Sequence, residues 1–237
     1  MNNNKQIPPQ EPQKDNILES EYHTLFIDMM PEQKISIGFN ELEEEVFTIK
    51  PPCKRYTVFI DDFMEFERGL HKIFHSLWNA EEHDELVLRI NSNGGMVNEG
   101  SQFYSIIKNK FAGRTMTILD NKGYSMGALA FCMGDKRVVT ERADLMFHDY
   151  SSGIGGKGGE IEARNKHAQK FIRKFFKEII RDTGFLSKKE YENMLIGQDY
   201  WMDAEELCRR KIATHVLVNG KEIPAKKYIK KVLKCKK

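Results

Sequence analysis

A serine lies between two glycines in Gly123-Tyr124-Ser125-Met126-Gly127. The segment follows an apolar strand-like run and precedes a run of small residues. A sharp strand-to-helix turn at such a spot exposes the hydroxyl to a substrate. The free N–H groups at the start of the following helix then favour negative charge developing beside it. A serine hydroxyl is a weak nucleophile unless a base takes its proton. His148 is the first histidine after Ser125, and the apolar run Leu145-Met146-Phe147 delivers it straight into a turn. Asp199 precedes the aromatic pair Tyr200-Trp201, which suits a partly buried carboxylate in need of a partner. Upstream, Asn91-Ser92-Asn93-Gly94-Gly95 ends another apolar run, and its glycines permit a backbone N–H to face an oxyanion. Taken one at a time, each has a plainer reading: a turn serine, a polar histidine, a capping aspartate, a tight loop.

These residues need a scaffold of alternating elements. Residues 55–60 read as a strand. Phe63, Phe66, Leu70, Ile73, Phe74, Leu77 and Trp78 then recur at helical spacing, predicting a helix to about Asn79. Residues 85–90 form a second strand that breaks at the Asn-Ser-Asn-Gly-Gly segment, and a helix bearing Phe103, Ile106 and Ile107 follows. A third strand at 114–119 leads through a Gly123 turn into a helix at 126–132. Short strands are predicted at 136–140 and 144–147. This order argues for an α/β fold with a largely parallel sheet. A glycine cluster (Gly153, Gly155, Gly156, Gly158, Gly159) and a long helix at 161–183 come next. Capping pairs Ser187/Glu190 and Asp203/Glu206 open short helices. A strand at 214–218 ends in an Asn219-Gly220 hairpin turn.

The chain has 237 residues, 37 Lys+Arg against 35 Asp+Glu, and a formal charge of +2. The balance is uneven. Residues 221–237 hold eight lysines against the single acid Glu222, a local +7 that leaves −5 on the remainder. The body offers no basic stripe for nucleic acid. Six of the seven prolines fall in the first 52 residues, together with the acidic run Glu41, Glu43, Glu44, Glu45, which reads as an extended arm with short strands at 25–29 and 46–49. The expected division is an arm at 1–54, a catalytic body at 55–220 and a basic tail at 221–237. No apolar run is long enough to span a bilayer, and residues 1–14 lack a secretion signal, so a cytoplasmic location is expected. Cys53, Cys132, Cys208 and Cys235 form no C-x-x-C pair, so neither a metal site nor a redox dithiol is expected. No phosphate-binding glycine motif is present, and no cofactor is expected.

Taken together, the segments INSNGG, GYSMGA and LMFH, a Gly-rich loop with a long helix, and DYWMDAEEL occur in an order that resembles the Clp protease proteolytic subunit (ClpP) family of serine peptidases. The resemblance runs over about 55–218. It implies a ClpP/crotonase-like α/β fold of repeated β-α units with a long protruding handle helix. By motif position it implies Ser125 as nucleophile, His148 as general base and then acid, and Asp199 as the residue that orients the imidazole. Gly95 and Met126 would supply the oxyanion-hole N–H groups, and the loop with Gly153, Gly155 and Gly156 would pair with substrate backbone. A homo-oligomeric ring, a heptamer in the family, acting on peptide or unfolded protein and partnered by an AAA+ ATPase is implied as well.

Departures from the family's pattern accompany the match. The N-terminal arm has no recognisable counterpart of the family's pore-lining and ATPase-docking opening. Gly197-Gln198 replaces the Asp-Arg pair that links rings, and Asp149-Tyr150 follows His148 where Gln-Pro is usual. They point to a divergent member, phage-encoded or otherwise atypical, in which case the location is the host cytoplasm. Two rival readings stay open: an α/β-hydrolase esterase using Ser125, Asp199 and His215, and a catalytically inactive scaffold with the same fold.

Overall fold

The computed structural model describes residues 16–19, 23–39, 45–50, 52–63 and 70–235. Residues 1–15, the acids at 41–44, Phe66, Lys236 and Lys237 lie outside the described residues.

The central strands follow from their burial patterns. In β5 (Cys53–Phe63) the buried side chains Tyr56, Val58 and Ile60 alternate, one face inward. In β6 (Glu85–Gly95), Leu86, Val87 and Leu88 are buried in succession, the mark of a strand covered on both sides. Helix α1 (Leu70–Trp78) turns Leu70, Ile73, Phe74 and Leu77 inward. Helix α2 (Val97–Lys110) does the same with Phe103, Ile106 and Ile107. Phe74 stacks on Phe103 with ring centroids 5.6 Å apart, joining the two helices in one core. Helix α3 (Met126–Cys132) follows β7 (Thr115–Tyr124) and is buried along its whole length. Its small residues let it lie close over the sheet.

Strands β8 (Lys136–Thr140) and β9 (Asp144–Phe147) come next, then the long α4 (Gly158–Phe176), which continues through a π-helical turn at Lys177–Arg181. Helix α5 (Lys188–Met194), strand β10 (Tyr200–Asp203) and helix α6 (Ala204–Arg209) lead to β11 (His215–Val218), β12 (Lys221–Pro224) and α7 (Ala225–Cys235). Upstream lie β1 (Asn16–Glu19), β2 (His23–Met30), β3 (Gln33–Phe39) and β4 (Glu45–Lys50).

Among the described residues one ten-stranded sheet runs in the order β1-β2-β5-β6-β7-β8-β11-β12, with β9 branching from β7 and β10 pairing β9. The pairs from β5 through β8 to β11 are parallel, and β2 against β5 is antiparallel. Strands β3 and β4 form a separate two-stranded ribbon. The architecture is the α/β arrangement expected, with the long helix in place.

Several elements differ from the sequence expectations. The helix expected from Phe63 begins at Leu70, and Phe63 instead closes β5 with no exposed surface. Strand β6 does not break at Asn91 but re-pairs with β5 at Asp62↔Gly94 and Phe63↔Gly95 after a register shift. Gly123 lies within β7, paired to Leu145. The long helix is α-helical only to Phe176. Beyond the hairpin turn, residues 221–235 form β12 and α7, whose Tyr228 and Ile229 pack against the core. The turn itself has Asn219 at φ 48° and Gly220 at φ 75°, which the two-residue hairpin requires. Ser187 and Glu190 cap each other's backbone at the start of α5. At α6, Asp203 accepts the Glu206 N–H at 2.8 Å.

Candidate active site

The turn from β7 into α3 places Ser125 at φ 54° and ψ −120°, a conformation that a side chain other than glycine rarely adopts. Such a residue costs about 1–3 kcal/mol and persists only where its surroundings hold it. Here they do. The Ser125 N–H donates to Met146 O at 3.0 Å, and Ser125 O accepts from the Ala128 and Leu129 N–H groups at 3.1 and 3.3 Å. The side chain makes no hydrogen bond that caps α3, so the half-buried hydroxyl is uncommitted.

The Gly94-Gly95 segment lies directly against this turn. Gly94 has φ 117°, and a Cβ there would stand 2.6 Å from Ser125 Cβ and 3.1 Å from Met126 N. Gly95, at φ 135°, would drive a Cβ to 2.0 Å from Phe63 O. Both positions therefore exclude any side chain. The Met126 nitrogen therefore lies close to Gly94, one residue from Gly95. The loop is braced from beneath: Ser92 is fully buried, and its Oγ accepts the Gly94 N–H at 3.0 Å. Asp62 accepts the Asn93 N–H at 3.1 Å.

His148 and Asp199, the expected base and orienting acid, flank the branch of the sheet. Strand β9 runs parallel to β7, pairing Gly123↔Leu145 and Tyr124↔Met146. Strand β10 runs antiparallel to β9, pairing Trp201↔Met146 and Tyr200↔Phe147. One step beyond the last of these pairs, His148 leaves β9 and Asp199 enters β10. Continued by one step, this register would set Asp199 opposite His148, and Tyr124, paired to Met146, immediately precedes Ser125. His148 is half-buried and Asp199 exposed. Among the described residues no hydrogen bond joins Ser125 to His148 or His148 to Asp199. Catalytic hydrogen bonds commonly tighten only when substrate is bound.

After His148 the chain is irregular to α4. Gly153, Gly155 and Gly156 are exposed there, and a Cβ on Gly153 or Gly155 would meet nothing within 4 Å. An edge of backbone is left open next to the site. A cleft of about 440 Å³ between α2 and α4, lined by Tyr104, Lys108, Phe171, Phe175 and Glu178, shares no residue with it.

The alternative base, His215, is not brought to Ser125. It pairs with Val138 of β8, which pairs with Ile118 of β7, seven residues before the serine. At about 3.3 Å per residue that is roughly 20 Å along the strand. Its ring Nδ1 is within 3.0 Å of Thr214 Oγ1. The esterase arrangement of Ser125, Asp199 and His215 is overturned by this register. Neither Cys132 nor Cys208 is poised as a nucleophile: burial pushes the Cys132 thiol up to about 12 and the Cys208 thiol to about 11, so both stay protonated.

Two contributors went unnoticed in the sequence. Asp62 follows the apolar run 55–60, and an acid at a strand end was its only signal. Tyr124 donates its hydroxyl to Asp144 Oδ2 at 2.9 Å and packs edge-on against Trp201, ring centroids 5.2 Å apart. That partnership depends on strand register and leaves no local trace.

The largely parallel α/β sheet presents a strained serine turn against a glycine pair, beside two short strands flanked by a histidine and an aspartate. Sequence comparison gives the family. The model described as Clp protease matches residues 58–219, more than half of the chain, and the chain belongs to that family. It is 28% identical over 166 residues to ATP-dependent Clp protease proteolytic subunit 3 of Rhodococcus jostii (strain RHA1), covering 69% of this chain and 80% of that protein. It is 29% identical over 156 residues to ATP-dependent Clp protease proteolytic subunit 1 of Frankia casuarinae, covering 63% and 70%. For ATP-dependent Clp protease proteolytic subunit 2 of Thermobifida fusca the figures are 27% over 150 residues, covering 62% and 72%. These relationships support a peptidase of the ClpP type. Among the described residues no helix is long and apolar enough to cross a membrane.

Proposed function

We propose that the chain is a serine endopeptidase with Ser125 as nucleophile, His148 as base and acid, and Asp199 as the group that orients the imidazole. The observation that supports this reading is the register of β7, β9 and β10, whose last pairs end one or two residues short of Ser125, His148 and Asp199. His148 takes the Ser125 proton as Oγ bonds to the peptide carbonyl carbon. Asp199 holds the ring N–H that faces away from the serine and favours the imidazolium. The Gly95 and Met126 N–H groups receive the oxyanion. The proton then passes to the leaving amine, the C–N bond breaks, and water releases the acyl group by the same steps in reverse roles.

The backbone of Gly153, Gly155 and Gly156 takes the substrate as an added strand, for which an open edge without side chains is suited. The same proposal has it working inside a homo-oligomeric ring, with an ATPase feeding unfolded protein, a reading supported by relatives named as proteolytic subunits of an ATP-dependent protease. The division into an arm at 1–54, a peptidase body at 55–220 and a basic tail at 221–237 belongs to the same proposal.

The test is Ser125→Ala. Cleavage of a short fluorogenic peptide and labelling by a serine-reactive phosphonate should both vanish while the native mass is unchanged. Full activity in that variant sinks the assignment, and a wild-type protein that assembles without labelling favours an inactive scaffold.

A further inference from the structure

Three residues lie in one row across the branch of the sheet: Tyr124 on β7, Met146 on β9 and Trp201 on β10. Residues directly opposite one another in neighbouring strands share a face, as do residues two apart along a strand. The row behind is therefore Lys122, Asp144 and Asp203, on the same face. Continuing the alternation one step forward sets His148 and Asp199 on that face as the next row. The aromatic row is thus the immediate neighbour of the base and its orienting acid.

Within that row Tyr124 does two things at once. Its ring reaches over Met146 to meet Trp201 edge-on, with centroids 5.2 Å apart, although the two residues stand two strands apart. Its hydroxyl reaches back one row to Asp144 Oδ2 at 2.9 Å. One side chain, adjacent in sequence to Ser125, therefore contacts the strand that ends in His148 and the strand that begins after Asp199.

We propose that Tyr124 is a positioning residue for the triad, clamping β7, β9 and β10 at the spacing that aligns Ser125, His148 and Asp199. This rests on the peptidase reading above. The strands concerned need such a clamp. β9 and β10 are four residues each, and the β7–β9 pairing spans only Lys122↔Asp144 to Tyr124↔Met146. Asp199 itself is exposed and has no hydrogen bond to hold it among the described residues. The phenol is not a competing acid or base. Its hydrogen bond to Asp144, aided by burial, raises its pKa above the usual tyrosine value, and it remains a donor.

The experiment compares Tyr124→Phe, Tyr124→Ala and Trp201→Ala in the full chain, with Ser125→Ala as the reference. Peptide kcat and KM, phosphonate labelling rate and melting temperature are measured for each. Misplacement of a catalytic group by about 1 Å costs on the order of 100-fold. Tyr124→Ala should lower kcat and the labelling rate by roughly 10- to 100-fold, with KM within about threefold of wild type, since the loss falls on the transition state. Tyr124→Phe keeps the ring contact but loses the bond to Asp144, and should recover only part of that loss. Tyr124→Ala with Trp201→Ala should lose no more than the worse single variant, as expected for two halves of one contact. If Tyr124→Ala does not fold, Tyr124→Phe and Trp201→Ala carry the same comparison.

A wild-type kcat in Tyr124→Ala, with Ser125→Ala inactive, overturns this inference alone. So does a loss confined to KM. Activity that survives Ser125→Ala, or a wild-type chain that neither cleaves nor labels, overturns the peptidase reading and this inference with it.

Discussion

Gly94 lies so close to Ser125 that a methyl group on it would stand 2.6 Å from the serine Cβ, with Gly94 itself at φ 117°. The Gly94-Gly95 segment and the Ser125 turn are therefore fitted to each other without a side chain between them. Gly94→Ala must push one away from the other. A shift of this size should cost on the order of 100-fold in kcat. Peptide kinetics check it; a drop of less than about threefold would show that the two segments yield independently.

His148 and His215 are separated by the sheet's own branching. His148→Ala should reduce kcat by several thousandfold, as expected for loss of the base in a Ser-His-Asp site. His215→Ala should leave kcat within about twofold, since its strand pairs only with β8 and β12. The converse pattern would contradict the register argument.

The contact between α2 and the π-helical turn is sensitive to acid. The Lys108 ammonium donates to Glu178 and, with the Tyr104 hydroxyl, holds that carboxylate below its ordinary value against the opposing effect of burial. A depressed folded pKa contributes stability above the unfolded value of 4.5 and loses it as pH falls through the folded one. The same hydrogen bond raises the Lys108 pKa, so its contribution is complete below 10.5 and lost at higher pH. Both side chains are about half exposed, which limits the effect to about 1 kcal/mol or less. Denaturant midpoints at pH 7 and pH 3 should differ less for Glu178→Gln than for wild type.

Leu25 has no exposed surface although it lies upstream of the family match. It sits on β2, which covers β5 from His23↔Ile60 to Met30↔Cys53. Leu25→Ala should destabilise the protein by about 2–5 kcal/mol, the usual cost of a buried leucine truncation. Removing residues 1–30 should go further and bare the edge of β5, with aggregation as the readout. Unchanged stability in Leu25→Ala would mean that this strand adds nothing to the core.

What could be read from the sequence follows from how local each signal is. Ser125, His148 and Asp199 stand out because their types and strand-end positions carry chemistry without any partner being known. Phe63 differs from the expectation because its spacing to Phe66 and Leu70 fits a helix, while its backbone pairs with Gly95 and its ring packs against Phe103. The Asn-Ser-Asn-Gly-Gly run has the composition of a turn, and contacts with Asp62, Phe63 and Gly123 on the neighbouring strands keep it extended. Strand β10 is too short for a period to register. In the tail the lysines dominate the count, although Tyr228, Ile229 and Val232 already mark one side of a helix. Tyr124 is invisible to any local reading, since both its partners are chosen by strand order.

Strand β7 is the stem of a fork: its first half pairs with β8, its last residues with β9. Ser125 thus stands at the end of the main sheet, whereas His148 and Asp199 flank a short side ribbon, and the Ser125 N–H bond to Met146 O ties that ribbon back to the serine turn. A distortion of the ribbon is therefore felt on both sides of the fork, through a joint three residue pairs long.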